Sequence, residues 1–85
     1  MTDTVLIVDD DASVQTMLYK IIKSNGINAD TASSGETALE MIKKNTYDVI
    51  LLDINMNGMD GFQVITTLRN NGIKTPIIVV SGRKE

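Results

Sequence analysis

Three of the four strands that this sequence predicts end in small acidic or hydroxyl side chains: Asp9 with Asp10, then Asp53, and finally Ser81. Three carboxylates brought into one pocket would repel each other unless one takes up a proton or a cation binds between them. Oxygen ligands without histidine or cysteine select a hard cation, and a small site that keeps several water molecules suits Mg²⁺. Such an ion would also bind phosphate oxygens, and aspartate is a nucleophile towards phosphoryl groups. The residue types therefore indicate metal-dependent phosphoryl chemistry on a carboxylate.

The elements that would position these side chains alternate along the chain. Four runs predict strands: residues 5–8, 27–32, 49–52 and 77–80. The first, third and fourth are aliphatic runs typical of strands covered on both faces, and the more polar second run suits a sheet edge. Segments of helical periodicity separate the strands, so the pattern predicts a doubly wound parallel α/β sheet that binds its ligand at the carboxyl ends of the strands. If the first and third strands are neighbours, about 4.8 Å apart, their terminal acids meet there.

Polar residues mark where the helices begin. Asp11 and Asp60 precede helical patterns and are predicted N-caps. The second helix is expected to begin near Ser33 or Ser34, and Ser33 and Glu36 have the spacing of a capping box there. The third helix is expected to turn three apolar side chains inward: Phe62, Ile65 and Leu68.

Composition excludes several other kinds of chemistry. The 85 residues include no cysteine and no histidine, which excludes disulfides, thiolate metal sites and catalytic pairs with histidine within this chain. A net charge of −3 with scattered basic residues argues against nucleic-acid binding. No run approaches the roughly 20 apolar residues of a membrane span, and the N-terminus lacks the features of a signal peptide. We therefore expect one domain over residues 1–85, with a cytoplasmic location as the default.

Five segments in the right order resemble the response-regulator receiver domains of two-component signalling. Residues 5–11 resemble the opening strand and acidic pair of that family, and residues 48–56 resemble the strand and loop around its phosphoacceptor. The other segments resemble the start of the second helix, the turn into the third helix, and the fourth strand with its switch hydroxyl: residues 33–39, 58–61 and 76–82. The resemblance implies a flavodoxin-like receiver fold with strand order 2-1-3-4-5.

The resemblance also implies a role for each candidate residue. Asp53 would accept a phosphoryl group from a phosphohistidine on a sensor histidine kinase or phosphotransfer protein. Asp53 would also contribute to a Mg²⁺ site, with Asp10 binding the ion directly and Asp9 largely through water. Asn55 would add its backbone carbonyl to that site, and the Ser81 hydroxyl would hydrogen-bond the attached phosphoryl group. The chain would thus be a phosphoryl acceptor in a phosphorelay rather than a turnover enzyme.

Two departures from the family pattern bear on this expectation. Asn57 stands where the family usually has proline before the glycine of the turn, and we expect a more mobile loop from it. The family continues with a helix, a fifth strand that carries a conserved lysine at its end, and a final helix, whereas this chain ends at Glu85. Lys84 lies at the wrong place to take over the role of that lysine. We therefore expect an incomplete receiver domain whose fourth strand is an open apolar edge, through which two copies could pair as a homodimer.

Other functions stay open at this point. A phosphorylation-incompetent interaction module, or a fragment that assembles through its fourth strand, would keep the acids without transferring phosphate. A Mg²⁺-dependent phosphatase would use an aspartyl nucleophile followed two residues later by an acid, but Asp53 is followed there by Asn55. A flavin site is disfavoured because the acidic loop after the first strand would repel a phosphate group.

Overall fold

Strands and helices alternate through residues 3–80, which are the residues that the computed structural model describes. The strands are β1 Thr4–Val8, β2 Asn28–Ala32, β3 Val49–Leu52 and β4 Ile77–Val79. The helices are α1 Ala12–Ser24, α2 Gly35–Lys44 and α3 Gly61–Asn70. All the strands pair in parallel, in the order β2-β1-β3-β4. The predicted doubly wound parallel fold is confirmed, as is the place of β2 at an edge.

The register between β1 and β3 places their carboxyl ends level. Val8 pairs with Leu52, and the Asp53 N–H donates to the carbonyl oxygen of Val8 at 2.9 Å. On the other side of β1, the Asp9 N–H donates to the carbonyl oxygen of Ala32 at 3.1 Å. The residues that follow β1 and β3 therefore emerge at one edge of the sheet, where the strand order reverses.

The core lies between the sheet and the layer formed by α2 and α3. Alternate residues of β1 and β3 are buried there against side chains of the two helices: Leu6, Val8, Ile50, Leu52, Ala38, Val64 and Leu68. Burying an aliphatic side chain of this size contributes about 1.5–3 kcal/mol. This layer therefore supplies most of the apolar burial that holds the sheet edge in place.

Helix α1 lies against β1 and β2 on the other face of the sheet and is less well covered. None of its residues is buried, and Met17 and Ile21 are each 52% exposed. On β4, Ile78 and Val79 are also about half exposed. Among residues 3–80, every helix falls short of the length and apolar character that a bilayer crossing requires.

The predicted N-caps of α1 and α3 are confirmed. The Asp11 carboxylate accepts hydrogen bonds from two N–H groups in the first turn of α1. Asp60 and Gln63 form a reciprocal capping box at the start of α3. Both helices begin directly after the loops that leave β1 and β3, so their caps fix how those loops enter the helices.

The predicted capping box of α2 is wrong by one residue. The N-cap is Ser34, whose Oγ accepts a hydrogen bond from the Thr37 N–H at 3.1 Å. The Ser33 Oγ instead accepts a hydrogen bond from the Gln15 side chain at 3.0 Å. Of the two adjacent serines, the second therefore caps the helix and the first makes a tertiary contact with α1.

The predicted inner face of α3 is correct for Leu68 and wrong for Phe62. Phe62 is 64% exposed, and Ile65 is only partly buried. The helix begins at Gly61 and buries Gly61, Val64 and Leu68, at the spacing of one helical face. Phe62 lies one residue further on, which rotates its side chain about 100° away from that face.

A buried tyrosine joins the edge strand β2 to the start of β3. Tyr47 is 5% exposed, and its hydroxyl donates to Asp30 Oδ2 at 2.7 Å. Burial, together with this hydrogen bond and the charge of Asp30, raises the pKa of Tyr47 to about 12. The phenol therefore keeps its proton, and the donor role, throughout the physiological range.

The start of α3 packs directly on the backbone that follows β3. A Cβ atom added to Gly61 would lie 2.7 Å from the Ile54 Cα atom and 2.8 Å from the Asp53 carbonyl oxygen. The Gly61 N–H also donates to the Ile54 carbonyl oxygen at 3.1 Å. Only glycine allows this approach, so α3 sets the position of the Asp53 peptide.

We predict that Gly61→Ala lowers the free energy of unfolding by about 2 kcal/mol or more, because the added methyl group overlaps backbone atoms that cannot rotate away. Gly35→Ala is the matched control, since Gly35 is likewise the buried first residue of a helix. Its added Cβ would meet side-chain atoms of Val64 and Met59, which can rearrange. Urea denaturation of both variants measures the difference, and an equal or smaller loss for Gly61→Ala would contradict the proposed packing.

Candidate functional site

Three carboxylates meet at the carboxyl edge of the sheet. Asp9 and Asp10 follow β1 and Asp53 follows β3, and each offers an oxygen atom within 4.8 Å of the others. Asp9 is 5% exposed and Asp53 is 2% exposed, whereas Asp10 lies at the surface. The predicted grouping of these acids is confirmed, and we call the three residues the acidic pocket. The pocket has two buried carboxylates at its base and one at its mouth.

The acidic pocket concentrates negative charge where water is scarce. Burial raises the pKa of Asp9, and the neighbouring Asp53 and Asp10 carboxylates raise it further. The Asp11 N–H opposes this change by donating to Asp9 Oδ1 at 2.9 Å. Desolvation and repulsion together outweigh that hydrogen bond, so a proton or a cation placed here relieves an unfavourable interaction.

The loop after β3 folds back over the acidic pocket and directs backbone N–H groups towards it. The Asn55 N–H donates to Asp53 Oδ1 at 3.0 Å, and the Asn57 N–H donates to Asp10 Oδ2 at 3.1 Å. Met56 lies between these donors and is buried against the core, which anchors the loop. Since Asp9 is held in the same way from its own loop, main-chain donors orient all three carboxylates.

The structure does not test the roles predicted for the remaining site residues, Asn55 and Ser81. Asn55 belongs to the loop over the acidic pocket, and the role of its backbone carbonyl stays a prediction. Ser81 lies outside residues 3–80, so its predicted contact also stays a prediction. The chain that leads to it runs beside β3, because the Val80 N–H donates to the carbonyl oxygen of Leu52 at 2.8 Å.

Gln15 contributes to this edge in a way that the sequence did not predict. Its side-chain amide donates to the carbonyl oxygen of Asp9 and to Ser33 Oγ. These contacts tie α1 to the ends of β1 and β2. A glutamine in the first turns of an amphipathic helix looks like any solvated polar residue, so no sequence signal could have identified it.

The arrangement has the chemistry of a site for a hard cation and a phosphoryl group. Its side-chain donors are oxygen atoms only, and they converge at the mouth of a sheet where parallel folds bind their ligands. A carboxylate held by a backbone N–H is an available nucleophile.

Comparison with known proteins identifies the family to which this sequence is similar. Residues 5–85 match the response regulator receiver domain family. The cell cycle response regulator CtrA of Brucella ovis is 38% identical over 78 residues, which cover 92% of this chain and 34% of that protein. The chain thus spans about a third of the length of this curated relative.

Solved structures show the same fold. The Francisella response regulator 1452 receiver domain is 34% identical with a TM-score of 0.91, covering 99% of this chain and 69% of that one. The response regulator TrrA of Thermotoga maritima, solved in complex with Mg²⁺–BeF, is 30% identical with a TM-score of 0.87, covering 98% of this chain and 72% of that one. The family match over nearly the whole chain, the strand order and the acidic pocket agree, and the chain belongs to the response regulator receiver domain family.

Proposed function

We propose that this receiver domain accepts a phosphoryl group on Asp53, with Mg²⁺ bound by the acidic pocket. The observation that carries the proposal is the convergence of Asp9, Asp10 and Asp53 within 4.8 Å, with Asp53 buried at the carboxyl end of β3. Receiver domains are phosphoryl acceptors, so the proposal assigns to a particular side chain what the family does in general. It also makes the chain an acceptor rather than a turnover enzyme.

The donor set of the acidic pocket fits Mg²⁺. Three carboxylates with no nitrogen or sulfur donor select a hard cation, and the exposed side of Asp10 leaves room for water ligands. In the proposed site, Asp10 and Asp53 would contact the ion, Asp9 would act largely through water, and the Asn55 carbonyl would complete the protein ligands. The ion would supply positive charge that stabilises the oxygens of the transferred phosphoryl group. That TrrA was solved with Mg²⁺–BeF supports the choice of metal.

Phosphoryl transfer to a carboxylate makes few demands on the other residues. A carboxylate oxygen of Asp53 forms the new bond to phosphorus while the bond from phosphorus to the donor imidazole breaks. The attacking group has no proton to lose, so no general base is needed, in keeping with the absence of histidine from the sequence. The Asn55 N–H fixes Oδ1 of the nucleophile, which favours attack in one orientation. The Ser81 hydroxyl is proposed to bind the attached phosphoryl group.

The partners follow from this chemistry. The proposed donor is a phosphohistidine on a sensor histidine kinase or a phosphotransfer protein.

A homodimer through β4 stays a proposal, supported by the half-exposed Ile78 and Val79 on that strand. A cytoplasmic location and the treatment of residues 1–85 as one receiver domain also stay predictions. Light scattering of the purified chain measures the oligomeric state, and a monomer at all concentrations would contradict the dimer.

We predict that incubation with a small phosphodonor and Mg²⁺ adds the mass of one phosphoryl group to the chain. Asp53→Ala should abolish the gain because the nucleophile is gone, and Asp10→Asn should reduce it because a metal ligand is lost. Asp3→Asn is the matched control, since Asp3 is an exposed acid outside the acidic pocket. Intact-mass spectrometry makes the measurement. A folded, Mg²⁺-binding chain that gains no mass would instead identify the inert interaction module.

We predict that the free energy of unfolding without metal falls as the pH rises through the titration of Asp9. The pKa of Asp9 is raised in the folded state above its ordinary value of 3.8, so the native state holds more protons than the unfolded chain between the two pKa values. The stabilisation that the folded state gains from protonation of Asp9 is therefore complete at pH values below the ordinary pKa of 3.8. It is lost at pH values above the raised pKa of the folded state. Asp9→Asn removes the titrating charge, so it should flatten this dependence and make the metal-free protein more stable than the wild type at pH 7.

Urea denaturation in a chelating buffer across this pH range tests the prediction. Added Mg²⁺ should stabilise the wild type at pH 7 by mass action, and it should stabilise Asp9→Asn less. An Asp9→Asn variant that is less stable than the wild type at pH 7 without metal would show that burial and repulsion together do not outweigh the hydrogen bond that the Asp9 carboxylate accepts.

A further inference from the structure

One hydrogen bond joins the two loops that carry the acidic pocket. The Asn57 N–H, on the loop after β3, donates to Oδ2 of Asp10, on the loop after β1, at 3.1 Å. The two residues lie 47 positions apart in the sequence. The bond therefore fixes the mouth of the pocket across the boundary between the two strands.

The orientation of the Asp10 side chain depends on this hydrogen bond more than the orientations of Asp9 and Asp53 depend on the backbone N–H groups that they accept from. Asp9 and Asp53 are buried, so the surrounding side chains limit their rotation as well. Asp10 is exposed, and an exposed aspartate samples several rotamers unless a hydrogen bond selects one. The Asn57 N–H is thus a specific restraint on the one carboxylate of the pocket that packing leaves free to turn.

The donor is a backbone group, so any residue except proline can provide it at position 57. Receiver domains usually carry proline at the place that Asn57 occupies, and a proline there has no N–H to donate. The side chain of Asn57 is not the feature that matters. Because residue 57 of this chain is not proline, its backbone N–H is present and can donate to Asp10.

We infer that the Asn57 backbone N–H is a positioning group for the metal ligand Asp10. By holding Oδ2, it would leave the other carboxylate oxygen available to an ion bound in the acidic pocket. Hydrogen-bond partners of metal ligands typically change metal affinity by about 10–100-fold when they are removed. The inference rests on the proposed Mg²⁺ site and adds to it the loop that holds one of its ligands.

The inference also makes the loop after β3 responsive to the metal. If the Asn57 N–H and Mg²⁺ both favour the same orientation of Asp10, each stabilises the binding of the other. Mg²⁺ binding should therefore strengthen the hydrogen bond and slow the exchange of the residue 57 amide proton with solvent.

The first experiment is a calorimetric titration of the 85-residue chain and two variants with Mg²⁺. Asn57→Pro removes the donor, and we expect it to raise the Kd by about tenfold. Asn57→Ala keeps the backbone N–H and is expected to bind as the wild type does. Urea denaturation in a chelating buffer checks that all three proteins are folded and of similar stability. An Asn57→Pro variant that is folded and binds Mg²⁺ as tightly as the wild type would overturn the inference and leave the proposed function intact.

The second experiment needs neither metal nor a proline variant. Amide exchange at residue 57, followed by nuclear magnetic resonance without Mg²⁺, should accelerate several-fold in Asp10→Ala and stay unchanged in Asp3→Ala. No acceleration in Asp10→Ala would show that the hydrogen bond does not restrain the loop, which also overturns the inference. If this test succeeds while the wild type fails to bind Mg²⁺, the loop contact stands, but the proposed Mg²⁺ site and the positioning role that rests on it both fail.

Discussion

The parallel pairing of β1 with β3 is the interaction on which both the core and the acidic pocket depend. Its register buries Leu6, Val8, Ile50 and Leu52 on one face of the sheet and brings Asp9 level with Asp53 at its carboxyl edge. Burial of the aliphatic side chains stabilises the fold. The approach of Asp9 to Asp53 destabilises it, because like charges meet there with little water between them. The apolar layer under the sheet thus offsets the electrostatic cost of a site built for a cation.

The same pairing gives the loop after β3 its fixed ends. Asp53 is hydrogen-bonded to β1 at one end, and Gly61 packs on the Ile54 backbone at the other. Met56 is buried between them. With these three points held, the loop can direct its N–H groups at carboxylates instead of at solvent. The precision of the site therefore derives from the main chain more than from neighbouring side chains.

The parts of the fold that could be predicted from the sequence are those that depend on periodicity and on strand ends. Aliphatic runs, helical spacing and acids at the ends of strands were enough to predict the parallel sheet and the meeting of Asp9, Asp10 and Asp53. The errors are shifts of one residue, at the N-cap Ser34 and at the exposed Phe62, because local patterns locate the start and the buried face of a helix only to within about one residue. The Gln15 contact and the Asn57 N–H were missed for a related reason, since one is tertiary and the other belongs to the backbone.

The distance along the chain between the two halves of the acidic pocket has a consequence for folding. About half of the sequence separates Asp9 from Asp53, and only the docking of β3 on β1 brings them together. A chain that has emerged from the ribosome through α2 has its first acidic pair but no pocket, because contacts of high sequence separation form only after the intervening loop closes. The repulsion that Asp53 adds to Asp9 and Asp10 is therefore absent until β3 docks on β1, which is the step that completes the central strand pair.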